Sequence, residues 1–381
     1  MAKRMVVRVW PPRGSSHVIV RSHWRRRLAR TVLASTVAVA AVACGGSTDD
    51  ASAPSDAEST AVTEPVGATK SEVSSQSATG AAKSSLIKAG TGPCCLVARD
   101  DGIWVMNLRD ATVQHVDPQN NQPGEPVSTF PFDAMIGAGD KMLLATPEEY
   151  EVALFDPATG KVGQSIKIEG GVRGMAFDAN TNTVWVGSAT DGTLTHIDAD
   201  SGRVLDEFTV DGLPEGGDMI PNGNSELWVV TFSGELLKVD LAQQRVVTRL
   251  QPFGAADAEV FLVPAGGHLW ATSIQEPTLL RIDPRTGKIE RRGTIDAAGE
   301  AFPRLSAAPD GTLWVAAAPD RIEELDPETG DTLKSYDIPL DNEADVDTYF
   351  NAGGITTGFG SVWTTIFHDY RADDALVRLK K

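Results

Sequence analysis

One pattern recurs seven times after about residue 92, and it constrains the fold more than any other feature of the sequence. Each copy has a short β-branched segment that usually holds Trp-Val, a polar turn, a segment ending in an apolar residue and Asp, and a turn that often reads Thr-Gly. The copies are spaced 39, 42, 43, 42, 44 and 49 residues apart and are centred on Trp104, Leu143, Trp185, Trp228, Trp270, Trp314 and Trp363. A period near 40 residues with about one Trp per copy predicts a propeller with one blade per copy.

The third copy shows how one copy would form a blade. Alternating apolar and polar residues cover 171–178, 183–187, 192–198 and 203–208, and Gly, Asn or Asp occupies the turns between them. Alternation with a period of two residues is typical of strands, and these turn residues favour tight connections. Helical periodicity is scarce in this part of the sequence. We therefore predict an all-β fold, a seven-bladed β-propeller of four-stranded blades.

The last copy lacks one strand. It supplies strand-like segments at 354–357, 361–365 and 375–379 only, whereas a further apolar segment at 84–88 precedes the first innermost strand. An N-terminal strand that completes the last blade would remove the exposed edges of its sheet. We therefore expect the ring to be closed in this way, with a propeller domain over residues 84–381.

Recurring Trp, Asp and His residues are predicted to be structural. Because each Trp buries about 150–250 Å², we expect these side chains to fill the wedges between blades. An Asp before Pro favours a turn, so Asp156, Asp283 and Asp326 are interpreted as turn residues. His115 and His196 share a third-strand position that holds Leu, Lys, Arg or Glu in the other copies. We interpret this variable position as a solvated outer one and not as a metal ligand.

Residues 1–43 are predicted to be an export signal. Four arginines between residues 25 and 30 precede thirteen small or apolar residues, too few to span a membrane comfortably. The segment ends in Ala-Val-Ala-Cys, which resembles the lipobox of bacterial lipoproteins and implies that Cys44 is lipidated. An ordinary Ala-x-Ala cleavage site is the alternative, and the general secretory and twin-arginine routes both stay open. Residues 44–83 hold almost no large apolar side chain, so we expect a disordered tether to the outside of the cell membrane.

The charge of the chain argues against one class of partner. The formal net charge is −18, and residues 1–43 contain nine basic residues and no acid. Without them, 25 basic and 52 acidic side chains give −27. Because such a surface repels phosphate backbones, we expect no nucleic-acid partner.

Residues 305–315 read Leu-Ser-Ala-Ala-Pro-Asp-Gly-Thr-Leu-Trp-Val and resemble the repeats of YVTN-type and virginiamycin-B-lyase-like seven-bladed propellers. The resemblance covers about residues 84 to 381 and implies the fold, because such repeats serve both enzymes and binding scaffolds. In virginiamycin B lyases, a His and a Mg²⁺-bound Glu act within copies ending Trp-Phe-Thr-Glu. Here the corresponding strands read Trp-Val-Gly, Trp-Val-Val, Trp-Ala-Thr and Trp-Val-Ala, so the matching Glu is absent.

Two functional hypotheses follow. The first is a non-enzymatic scaffold that binds a small molecule, a glycan or a protein on its loop-rich face. The alternative is a lyase or hydrolase assisted by a divalent metal.

The two long loops of the last copy are the predicted binding site. One leads into the seventh blade and the other joins its middle strands, so both open on one face. Long loops on a rigid scaffold are where binding residues concentrate. The alternative is that these are solvated acidic loops in an acidic protein. His368 is the candidate general base of the enzymatic alternative. The candidate ligand-binding residues are Asp345, Asp347, Tyr349, His368, Asp369, Tyr370 and Arg371.

Acidic residues also recur near the start of the innermost strands. If they point into the channel mouth, their oxygen atoms suit Ca²⁺ or Mg²⁺. The candidate metal ligands are Asp218, Glu259 and Glu300, with Asp133 and Asp257 at similar positions.

Adjacent Cys94 and Cys95 begin the first innermost strand, and two interpretations stay open. They are two small buried residues in a tight channel, or they form a vicinal disulfide. The disulfide would be strained and easily reduced, and would suggest a redox or ligand-clamping role.

Overall fold

The computed structural model describes residues 84–129, 132, 134–146, 150–223, 225–231, 233–253, 260–273, 278–295, 304–318, 321–338, 349–350, 354–368 and 374–380. Within these ranges the secondary structure consists of strands joined by turns and bends, without a helix. The described part therefore contains no helix long and apolar enough to cross a membrane.

Blades one to four each form an antiparallel sheet whose strands follow one another from the innermost to the outermost. Blade one consists of β2 Pro93–Arg99, β3 Gly102–Asn107, β4 Thr112–Asp117 and a split fourth strand, β5 Gln122–Pro123 and β6 Val127–Ser128. Blade two consists of β7 Ala134–Ala138, β8 Lys141–Thr146, β9 Glu151–Asp156 and β10 Lys161–Lys167. Blade three consists of β11 Val172–Asp178, β12 Thr183–Ser188, β13 Thr193–Asp198 and β14 Val204–Thr209. Blade four consists of β15 Met219–Pro221, β16 Glu226–Val230, β17 Leu236–Asp240 and β18 Arg245–Leu250.

Blades five and six have the same order, and blade seven is completed from the other end of the chain. Blade five consists of β19 Val260–Ala265, β20 His268–Ser273, β21 Thr278–Ile282 and β22 Ile289–Thr294. Blade six consists of β23 Arg304–Ala307, β24 Leu313–Ala318, β25 Arg321–Leu325 and β26 Thr332–Asp337. Blade seven consists of β28 Ile355–Gly358, β29 Ser361–His368, β30 Ala375–Lys380 and β1 Ser84–Ile87, with β27 Tyr349–Phe350 added to β29.

The first strands of neighbouring blades contact one another in a closed circle, which encloses the central channel. Antiparallel order then defines two ends of the ring. We call "turn end" the end that holds the connections from first to second and from third to fourth strands. We call "loop end" the opposite end, where each chain segment enters an innermost strand. The structure confirms the predicted seven-bladed β-propeller.

The hydrophobic cores lie between blades, as the Trp pattern predicts. One core, for example, combines Trp270 and Leu279 of blade five with Leu313 and Val315 of blade six. Trp228, Trp270 and the corresponding Trp residues of blades six and seven are fully buried. These rings therefore fill the wedges between blades, where each buries a large apolar surface.

Ring closure by the N-terminal strand is also confirmed. β1 pairs with β30 in antiparallel register, with Leu86 opposite Val377. Ile87 is 4% exposed and packs in one core with Ile103 of blade one and Trp363 of blade seven. The strand thus completes the last sheet and joins it to the first.

The third-strand position of His115 and His196 differs from the prediction. It is not a solvated outer position, because Lys238 and Arg378 occupy it at 6% and 5% exposure. In every blade except the second, where Leu143 pairs with Leu154, the residue there pairs across the sheet with the central Trp, as His196 does with Trp185. These two rings stack with centroids 3.9 Å apart. The position tolerates varied residues because the Trp ring covers the apolar part of each long side chain. The polar group at the end of the side chain reaches past the ring to a hydrogen-bond partner.

Several of these partners belong to the next blade. Lys238 Nζ of blade four donates to the carbonyl of Arg285 in blade five, at 2.9 Å. Arg378 of blade seven donates to the carbonyl of Pro118 in blade one. Trp228 Nε1 donates to the carbonyl of Pro284, 3.0 Å away. In blade four, the Trp and its paired side chain therefore both bond to a turn of the next blade, and in blade seven the paired Arg378 does so.

Asp residues shape those turns, as predicted. Asp283 accepts hydrogen bonds from the backbone N–H groups of Arg285 and Thr286, at 2.8 and 3.1 Å. Asp326 accepts two equivalent bonds at 2.7 and 2.9 Å. Because these bonds favour the ionised form, they hold the pKa of both carboxyl groups below the usual value. Their role is structural.

Candidate functional site

Blade seven is extended at the loop end. Its second strand, β29, has eight residues, whereas the second strands of the other six blades have five or six. The first half of β29 pairs with β28, and its last two residues pair with β27. Tyr349 lies opposite His368 and Phe350 opposite Phe367. The described part of the segment that leads into β28 therefore runs beside the end of β29.

The other predicted residues of these loops lie outside the described part of the chain. They are Asp345, Asp347, Asp369, Tyr370 and Arg371. The same is true of Cys44, Asp133, Asp257, Glu259 and Glu300. For all of these residues the assigned roles stay predictions, as does a general-base role for His368.

Asp218 is the one predicted metal ligand within the described residues, and close backbone packing positions it. Gly216 N donates to the carbonyl of Ser188 in blade three, at 2.6 Å. A Cβ at Gly174 would lie 1.6 Å from the carbonyl oxygen of Gly217 and 3.0 Å from Asp218 N. Only glycine allows this approach. It holds Asp218, at the entrance to β15, against the start of β11.

Within the part of the chain that the structure describes, the charged groups that act on Asp218 belong to two arginines. Burial within the ring raises the pKa of its carboxyl group, and Arg304 and then Arg173 act against that rise. The side chain also keeps an exposed surface. Water therefore reaches the carboxylate, which limits the rise. The carboxylate thus lies at the loop end of the channel, where it feels the charges of Arg304 and Arg173.

Arg304 is held by an aromatic ring. Its guanidinium carbon lies 4.2 Å from the centroid of the Phe261 ring, close enough for a cation–π contact. Its Nε atom is buried and has no hydrogen-bond partner among the described residues. Arg173, Asp218, Phe261 and Arg304 come from four consecutive blades, each at or next to the first residue of an innermost strand. We call these four residues the channel-mouth cluster.

The sequence analysis missed the arginines of this cluster. It examined the starts of the innermost strands for acids only, although Arg173 and Arg304 stand at the same positions. A search for all charged residues there would have found both.

Cys94 and Cys95 lie in a register shift of β2, between Pro93 and Leu96. Their sulfur atoms are 2.9 Å apart and form no disulfide bond. Cys94 is buried and its carbonyl accepts from Thr365 Oγ1 at 3.4 Å. The arrangement agrees with the interpretation of two small residues in a tight channel, and a vicinal disulfide stays a prediction.

Asp374, a further residue that the sequence analysis missed, ties blade seven to blade one at the loop end. The residue is 4% exposed. Its Oδ2 atom accepts from Gly92 N at 2.7 Å and lies 3.4 Å from Arg109 Nη1. Its role is to hold the junction.

The described histidines outside β29 have structural contacts. His115 Nε2 lies 2.8 Å from the carbonyl oxygen of Asp101. His196 bonds to Thr183, and burial lowers the pKa of its imidazole, although Asp206 and Asp178 act against this. His268, at the turn end, lies 3.2 Å from Glu290. Across the described residues, no group of three His, Cys, Asp or Glu side chains is arranged to hold a metal ion.

Comparisons with known proteins support the fold. Residues 171–292 match the family described as outer membrane protein assembly factor BamB. No curated protein sequence matches the chain. A catalytically inactive virginiamycin B lyase from Staphylococcus aureus, solved with quinupristin, is similar in structure with a TM-score of 0.62. It is 15% identical, and the match covers 78% of this chain and 99% of that one.

Two further structures show how widely the shape occurs. Hydrazine synthase from Kuenenia stuttgartiensis matches with a TM-score of 0.58 and 14% identity, over 76% of this chain and 96% of that one. The computationally designed Ika8 protein matches with a TM-score of 0.56 and 14% identity, over 78% and 98%. The chain is thus a seven-bladed β-propeller of the virginiamycin-B-lyase-like fold. The shared shape extends to a designed protein and leaves the activity open.

Proposed function

We propose that this protein is an exported, lipid-anchored scaffold whose loop end binds a small molecule, a glycan or a protein. The extension of blade seven, where β27 lengthens the sheet beyond the other blades, is the observation that carries the proposal. It brings the roots of two long loops together on one face. Loops held by a rigid scaffold in this way are typical binding surfaces.

Tethering rests on the sequence and on a partial family match. Cys44 follows the export signal, and residues 44–83 separate it from β1. The match of residues 171–292 to an outer membrane protein assembly factor supports a place outside the cytoplasm and a protein partner. If Cys44 carries the lipid, Cys44→Ser releases a soluble form or blocks processing. Unchanged sedimentation with membranes would contradict the anchor.

A metal-assisted lyase or hydrolase is the alternative, and it is supported by the acids at the starts of the innermost strands. Among the described residues, Asp218 gives this alternative no support, since the charged groups that act on its carboxylate are those of Arg304 and Arg173. Metal analysis of the purified propeller distinguishes the two functions. A tightly held stoichiometric divalent ion, lost together with an activity on chelation, would reverse our preference.

The binding face is tested by paired variants in a capture experiment. Immobilised protein is incubated with envelope extract, and retained material is compared for the unmodified chain, Tyr370→Ala/Arg371→Ala and His268→Ala. We expect the double substitution to weaken binding by about 2 kcal/mol or more, since aromatic and Arg contacts dominate interfaces. His268→Ala, at the turn end, is the control and should retain binding. Full binding by the double variant together with loss of binding by His268→Ala would place the site at the turn end.

A further inference from the structure

Tyr150 and the turn beside it carry a second inference. We propose that Tyr150, with Asp191 next to it, forms a binding site for the ring of a neutral sugar at the loop end. Tyr150 stands in blade two, directly before β9, and Asp191 stands in blade three, in the connection from β12 to β13. The proposal therefore does not rest on the blade-seven loops, and its failure would leave the scaffold proposal standing.

Tyr150 occupies a backbone position that disfavours a large side chain. It ends the connection from the second to the third strand, where φ is positive in blades one to four: 49° at Ala111, 62° at Tyr150, 67° at Gly192 and 75° at Gly234. Left-handed backbone suits glycine and is unfavourable for a bulky residue. Glycine or alanine stands at three of these four positions, so the fold itself does not require an aromatic ring at the fourth. Such a backbone outlier points to a role in function.

The Tyr150 ring contacts a glycine and stays open to solvent. A Cβ at Gly171 would lie 2.5 Å from Cδ1 and 2.6 Å from Cε1 of Tyr150. One edge of the ring therefore lies against the backbone of Gly171, an approach that only glycine allows. Tyr150 is nevertheless 49% exposed. Burial of the ring does not offset the unfavourable backbone, and the exposed part of the ring is available to a ligand.

Polar groups border the same backbone segment. A Cβ at Gly170 would lie 2.5 Å from Thr190 Oγ1 and 3.5 Å from Asp191 Oδ1. Thr190 and Asp191 are both exposed. A hydrogen bond with the Ser188 side chain, followed by backbone hydrogen bonds, holds the pKa of Asp191 below its usual value, so this carboxylate is ionised and accepts hydrogen bonds. The aromatic ring and these oxygen atoms therefore border one segment, residues 170–171.

A sugar ring matches this combination of groups. One face of a pyranose presents C–H groups, which pack against the negative face of an aromatic ring, while the hydroxyl groups around its rim can donate to a carboxylate. Neither contact needs a charge on the ligand. Glu148 and Glu149 precede Tyr150 in the sequence, outside the described residues, and the chain after residue 43 carries −27. An acidic sugar is therefore disfavoured, and the ligand class is a neutral saccharide.

An array of immobilised neutral, acidic and cationic oligosaccharides tests the proposal with the purified full-length protein. The protein is kept in a detergent without a sugar headgroup, because a glycoside detergent would compete. We expect binding to at least one neutral oligosaccharide. Tyr150→Gly should weaken this binding about tenfold or more. It should also keep or raise the melting temperature, since glycine relieves the left-handed backbone. Tyr150→Trp should retain binding, because it keeps an aromatic face.

Phe359→Gly is the matched control. Phe359 is 42% exposed at φ 54°, in the turn between β28 and β29 at the turn end, and its replacement should leave sugar binding unchanged. Asp191→Asn removes the charged acceptor and should weaken binding about threefold or more. Three results would overturn the proposal: no binding of any neutral oligosaccharide, binding confined to charged oligosaccharides, or binding that Tyr150→Gly and Asp191→Asn both retain in full.

Discussion

The two ends of this ring are built by different rules. At the turn end, similar parts recur in most blades: a buried Trp, a side chain paired with it, and an Asp-shaped turn of the next blade, as in the contact of Lys238 with Arg285. At the loop end, the parts differ from blade to blade. Blade seven adds β27, blade three has a bulge at Arg173, and Asp374 ties only the last blade to the first.

This difference separates stability from binding. Repeated contacts at the turn end keep seven blades in register, because every junction must bury the same wedge of apolar surface. The loop end is free to vary, since its connections contribute less to those cores. We therefore expect substitutions at the turn end to change unfolding and substitutions at the loop end to change binding.

Removal of β1 should have the largest effect on stability. A chain that begins at Gly90 loses the pairing of β1 with β30 and the buried side chain of Ile87. We expect a loss of about 3 kcal/mol or more, of a total that is typically about 5–15 kcal/mol. Thermal unfolding measures it, and a chain that begins at Ala81 is the control. Equal melting temperatures for the two chains would contradict closure by β1.

Gly330→Ala should have the next largest effect. Gly330 has φ +70°, and a Cβ there would lie 2.8 Å from Cζ3 of Trp270. Positive φ and a clash with the wedge ring should together cost about 2–4 kcal/mol. Gly311→Ala is the matched control, because Gly311 has φ +87° and nothing within 4 Å of the added atom. This control should lower the free energy of unfolding by only about 1–2 kcal/mol. Chemical unfolding measures both variants, and equal losses would show that the Trp270 ring does not pack tightly against Gly330.

Acid should weaken the turn end to a smaller degree. The pKa values of Asp283 and Asp326 are held below their ordinary value of 3.8 by backbone hydrogen bonds. A lowered folded-state pKa contributes stability that is present above the unfolded value and is lost as pH falls through the folded one. The melting temperature should therefore drop between pH 5 and pH 3 by more in the unmodified chain than in Asp283→Asn/Asp326→Asn. An identical drop in melting temperature in both proteins would show that the ionisation of these two carboxyl groups does not contribute to the acid sensitivity of the fold.

The sequence predicts the turn end well and the loop end poorly. Trp spacing and Asp-Pro turns are local patterns that recur, so the number of blades, the wedge role of Trp and the closing strand all follow from them. The position of Lys238 and Arg378 was mispredicted as solvated, because varied residues suggest exposure when the covering Trp is not considered. Asp218 and Arg304 are 86 positions apart in the sequence, and only the closed ring places both at the starts of innermost strands at one end of the channel.

Photo-crosslinking in intact cells tests the division of the two ends most directly. A benzophenone side chain replaces Tyr370 or Tyr150 at the loop end, or Phe359 in the turn between β28 and β29 at the turn end. Tyr150 and Phe359 form a matched pair, with exposures of 49% and 42% and φ values of 62° and 54°. Our account predicts several-fold more adducts from position 370 than from 359, and an intermediate or low yield from 150 on a distant blade. Adducts that form mainly from position 359 would contradict it.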